Sequence, residues 1–173
     1  MERPQTVIEP GYAQMMARYN AWQNDWLFAT VDGLDEAARE ADRGLFWGSI
    51  RATLSHLMWG DLMWMSRFDG GEGPSNPLNE TGDAYDWSEL MAERPAVDAR
   101  ITRWAAGLAD GAFDGDLTWW SGAAGREMSK PYALCVAHVF NHQTHHRGQV
   151  HATLTALGVK TQDTDIPFLP EDA

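Results

Sequence analysis

The sequence predicts an all-α fold, a four-helix bundle with a small hairpin before the last helix. Three observations carry that reading. Apolar residues recur at three- and four-residue spacing in four separate segments. Residues that start and stop helices stand at the segment ends. The longest stretch between them is too rich in Gly, Pro and Asn to continue either pattern. With 173 residues, 44% of them apolar, the chain can bury a sizeable core, so residues 1–173 are read as a single domain.

The first predicted helix covers residues 10–31, with Tyr12, Met15, Met16, Tyr19, Trp22, Trp26 and Leu27 as its stripe. Pro10 suits a first helical turn and Gly33 falls just past the end. The second runs from Ser49, an N-cap residue type, to Phe68 along Ile50, Leu54, Leu57, Trp64, Met65 and Phe68. Residues 69–83, DGGEGPSNPLNETGD, read as a loop. The third helix lies within 88–108, marked by Leu90, Met91, Val97, Ile101, Trp104 and Leu108, and Pro95 inside it predicts a kink or restart. Residues 117–121 and 126–130 flank Gly122 and Gly125 as a small hairpin. The fourth helix covers 131–157 and stops at Gly158, and the tail beyond is too polar and proline-bearing to be helical.

Thirteen basic against 25 acidic residues give a net charge of −12. Such a chain repels phosphate, which argues against nucleic acid and anionic membrane surfaces as partners. One cysteine, Cys135, allows no intrachain disulfide, and the opening residues lack an apolar signal core. No stretch approaches the length of a membrane span. The expectation is a cytoplasmic, soluble protein.

The fourth helix holds His138, His142, His145, His146 and His151. Spacing residues by 100° places His142 and His146 on one edge of the apolar stripe, one turn apart and close enough to grip one ion. His138 and His145 turn towards solvent, and His151 lies on the other flank. The only histidine elsewhere is His56, which flanks the stripe of the second helix. Facing edges of two helices meet in one cleft, and three imidazoles around an ion leave an open position. Spacing by itself leaves open a plain polar helix face instead.

His56 in LSHLMWGDLMW and the string NHQTHHRGQVHATLTALG at 141–158 resemble the DinB-like family, also called the DinB/YfiT superfamily. The aromatic first helix, the FWGSI lead-in to the second, the long loop and the late hairpin fit it too. The resemblance implies a four-helix bundle that binds one divalent metal ion, nickel or zinc, through His56, His142 and His146. It further implies a homodimer acting on a small molecule, with the ion activating a low-molecular-weight thiol for S-transfer or maleylpyruvate isomerisation. Family members without known activity supply the competing reading, a non-catalytic metal-containing stress or binding protein.

Other residues carry further expectations. Asp61 and Arg147 both fall on core faces, so either they form a buried ion pair or one drifts to the surface. Trp22, Trp26, Trp59, Trp64 and Trp104 read as core, and one of the neighbours Trp119 and Trp120 should be exposed. Cys135 reads as a small buried hydrophobe, with a thiolate ligand as the alternative. Gly60 is expected to leave space above His56, and the loop 69–83 to serve as a lid.

Overall fold

The computed structural model describes residues 7–171; the first six residues, where the reading of the chain's opening falls, and the last two lie outside it. The chain is mostly helical, with one small antiparallel sheet. Its elements are α1 (Pro10–Asp32), α2 (Glu36–Glu40), α3 (Ile50–Phe68), α4 (Trp87–Ala106), β1 (Asp116–Ser121), β2 (Arg126–Pro131) and α5 (Tyr132–Ala156). The four predicted helices are α1, α3, α4 and α5, each within two residues of its expected ends.

Local chemistry explains those ends. The Ser49 side chain accepts from the Ala52 amide at the start of α3. Asp86 and Glu89 form a capping box on α4. Gly158, at φ +75°, takes the left-handed turn that closes α5, where the Val159 amide returns to the Leu154 carbonyl. Pro95 neither stops nor restarts α4, which continues through it. Its ring lies on the exposed face, while Leu90, Val97 and Ile101 anchor the buried face on both sides. The expected hairpin is present, pairing Leu117 with Lys130 and Trp119 with Met128. Trp120 is exposed and Trp119 half-buried, as alternation along a strand requires.

Three short pieces lacked a periodic signal. Asp35 caps the five-residue α2 by accepting from the Ala38 amide. Two single 3-10 turns, Leu78–Glu80 and Ile166–Phe168, occupy the loop and the tail that were expected to be irregular.

Helix α1 packs on α4 and α5, and α3 packs on the same two. Leu27, Val31, Ile50, Leu54, Met58, Leu90, Ile101, Phe140, Val150 and Leu154 fill the core between them. Among the described residues no helix is long and apolar enough to cross a membrane. The tail after α5 folds back along α1. Arg18 donates to the Pro170 and Glu171 carbonyls, Tyr19 to Thr164 O and Gln23 to Asp163 O.

Candidate metal centre

The packing of α3 on α5 brings three histidines together. His56 and His142 are half-buried, and His146 is buried. One ring nitrogen from each lies within 4.8 Å of the other two, and Nε2 of His56 is 2.9 Å from Nε2 of His142. Two nitrogens that each sit about 2.0–2.1 Å from one ion can be at most about 4 Å apart, so the His56–His142 spacing fits shared ligation. The third ring lies close enough to join with a small adjustment. Without a cation, facing imidazole lone pairs repel unless one ring turns its proton to the other. The donor set fits a divalent ion.

Burial fixes the charge state of these rings. Together with the neighbouring histidines, a smaller cause, it pushes the His142 imidazole down to about 3 and His56 to about 4. His146 is lowered by the same desolvation. At neutral pH all three are uncharged, the form that binds metal.

Surrounding groups orient the rings. Nδ1 of His56 lies 3.1 Å from the Thr81 hydroxyl, and Nδ1 of His146 lies 2.8 Å from Gln149 Oε1. An N–H donated on those sides leaves each Nε2 lone pair facing inward. Thr81 is itself fixed, because the Ser55 hydroxyl donates to its carbonyl and accepts from the Tyr85 amide. Trp47 stacks on His56 with ring centroids 4.2 Å apart. A Cβ on Gly82 would meet the Trp47 ring at 3.2 Å, so glycine is what lets the loop pass there. Thr81 and Trp47 come from non-periodic segments; Trp47 falls in the FWGSI lead-in, but nothing in the sequence tied either residue to His56.

The other expectations divide. His138 and His145 are exposed, with rings 5.6 Å from His142 and 4.9 Å from His146. His151 stands on the far flank against Trp26. Cys135 is buried and stays outside the three-histidine group. A Cβ on Gly60 would meet His142 Cε1 at 3.4 Å, so this glycine makes room for the ligand ring and not for a substrate above His56. The loop 69–83 is pinned and not a free lid: Arg100 holds Asp69 and Glu72 O, Trp59 Nε1 donates to Asn76 O, and Thr81 is tied to α3.

Asp61 and Arg147 do not pair. Asp61 Oδ2 accepts from Arg94 Nη1 at 2.7 Å, and its Oδ1 accepts from Gln143. Arg94 also reaches Asp98, which accepts from Asn24. Arg147 instead donates to Asn20, Gln143 and Asn24. The wheel placed both charges inside correctly, but the long Arg94 side chain of α4 takes the carboxylate. Burial pushes the Asp61 carboxyl up, and the Arg94 guanidinium opposes that shift.

The family model described as DinB family matches residues 2–173 of the chain. No curated protein and no solved structure matches it.

Proposed function

The chain belongs to the DinB family, and from that membership and the convergence of its histidines we propose that it is a metal-dependent enzyme activating a small thiol or water for transfer to a small electrophile. His56, His142 and His146 hold one divalent ion, nickel or zinc; neutral nitrogen ligands suit both. The carrying observation is a group of three imidazoles that, among the described residues, no carboxylate or cysteine joins. Asp61 is engaged by Arg94 and Gln143, and Cys135 is buried elsewhere, so neither is free to cap the ion. That favours an open position over the closed, structural type of site.

When bound, such an ion supplies a Lewis acid that lowers the proton affinity of a thiol or water. The chain does the rest. Thr81 and Gln149 aim the His56 and His146 rings, and Trp47 covers one face of His56 against water. His138 and His145 stand exposed at the rim, where a released proton can pass to solvent.

The same reading makes the four packed helices a four-helix bundle in one domain, assembled as a homodimer in the cytoplasm and acting on a small molecule. The net charge of −12 supports excluding nucleic acid as a partner.

The test is direct. Protein purified without a histidine tag is analysed for metal, loaded with cobalt or nickel and titrated with small thiols. Thiols are expected to change the metal's visible spectrum in the native chain and to have no effect after His142→Ala. An unchanged spectrum in the native chain overturns the open site and leaves the non-catalytic reading.

A further inference from the structure

A cavity of about 170 Å³ lies on the opposite flank, between α1, α5 and the returning tail. Tyr19, Gln23, Trp26, Arg147, His151 and Thr164 line it. We infer that it is a binding site for a small carboxylate anion, separate from the three-histidine centre.

Two groups point to that ligand. The first is the Trp26 indole N–H, which is buried and has no acceptor among the described residues. Buried donors are almost always paired, and the Trp26 side chain lines this cavity. The second is the Arg147 guanidinium, only 6% exposed. Its hydrogen bonds go to the amide oxygens of Asn20, Gln143 and Asn24, all uncharged. Both nearby buried carboxylates, Asp61 and Asp98, are committed to Arg94 on α4. Arg147 is thus a buried cation without an anion in contact among the described residues, in a wall of the cavity. A guanidinium is the side chain best shaped to take a carboxylate.

The remaining lining sets the ligand's size and body. The Tyr19 hydroxyl and the Gln23 amide are spent on the tail, at 2.5 Å to Thr164 O and 3.0 Å to Asp163 O. That leaves the Arg147 cation to be matched by a single carboxylate, with the His151 ring beside Trp26 as a further polar wall. The Trp26 and Leu27 side chains offer an apolar wall for a short alkyl body. Asp163 and Asp165 are exposed on the tail, where water and salt screen them, whereas Arg147 is enclosed.

Gly148 also lines the cavity, and a Cβ there would meet nothing within 4 Å. Gly148→Leu therefore fills space without touching the polar network. The full chain is titrated with propionate at constant ionic strength, followed by ligand-observed NMR and by the Trp26 indole N–H signal. Saturable binding with a downfield indole shift is expected, and propionamide should bind at least about tenfold more weakly because it lacks the charge. Gly148→Leu should weaken propionate by a similar factor while helix content and metal content stay unchanged. Binding must survive His142→Ala, which separates this cavity from the metal centre. Equal binding of propionamide, unchanged binding to Gly148→Leu, loss of binding with His142→Ala, or no saturation overturns the assignment.

Discussion

Neighbouring residues of α5 serve two unlike environments. His142 and His146 look out to the α3 edge, while Gln143 and Arg147, each one residue later, look into the core. On the core side Asp61, Arg94, Asp98, Asn24 and Gln143 answer one another, so four helices are tied through hydrogen bonds and ion pairs. On the edge side three imidazoles converge with no carboxylate among the described residues to answer them, and His56 Nε2 meets only His142 Nε2, at 2.9 Å. Polar satisfaction separates a group that specifies the fold from one held ready for a ligand. The two sets share helices and differ in that respect and in burial, since His56 and His142 are only half-buried.

The sharpest way to break this contrast is Arg94→Ala. It strands Asp61 and Asp98 in the core and is expected to cost about 3–5 kcal/mol in urea denaturation. A double-mutant cycle should find strong coupling between Asp61 and Arg94 and much less between Asp61 and Arg147, which do not touch. Equal couplings would erase the assignment of partners.

His56→Ala should do the reverse. Metal affinity is expected to fall by more than the roughly 100-fold that marks the upper end for outer partners. The metal-free chain should move by less than about 1 kcal/mol. Calorimetric metal titration and denaturation of the same sample read both numbers, and a large loss of metal-free stability would make His56 a core residue.

Next in size is Thr81→Val, which keeps the shape and removes the hydroxyl beside His56 Nδ1. Metal affinity should drop about 10- to 100-fold without loss of fold. An unchanged affinity would show that Trp47 stacking alone sets the ring.

The contrast also has a signature in pH. His56 and His142 take up protons near 4 and 3 in the folded chain, but near 6.5 once unfolded. Between those values the unfolded state binds more protons, so metal-free stability should decline as pH falls below about 6.5 and level off below the folded values. Replacing His142 by Gln should flatten the slope in that window, and a native slope equal to the variant's would contradict the burial of the ring. Acid should release the ion over the same range.

Much of this was legible in the sequence, for identifiable reasons. Periodicity and caps marked the four long helices because each buries a continuous stripe, as Leu54 and Leu57 do on α3. His142 and His146 were found because their relation is local to one helix. His56 followed because it alone lay outside that helix. What failed depended on distance in sequence or on loops. Arg94 could not be matched to Asp61 without knowing how α4 rotates against α3. Thr81 and Trp47 reach His56 from segments whose conformation no spacing describes. Gly60 was read as open space because its neighbour across the interface, His142, is 82 residues away.

The tail that returns along α1 also has a kinetic side. Its hydrogen bonds to Arg18, Tyr19 and Gln23 join residues 140 to 153 positions apart. Contacts of that range repay their chain entropy only after the helices between them are in place. The strap is therefore expected to close in the last stage of folding and to be the first part to open on heating. The far-flank cavity that it roofs would then exist only in the fully folded chain, so its ligand would act as a brake on unraveling from the C-terminal end.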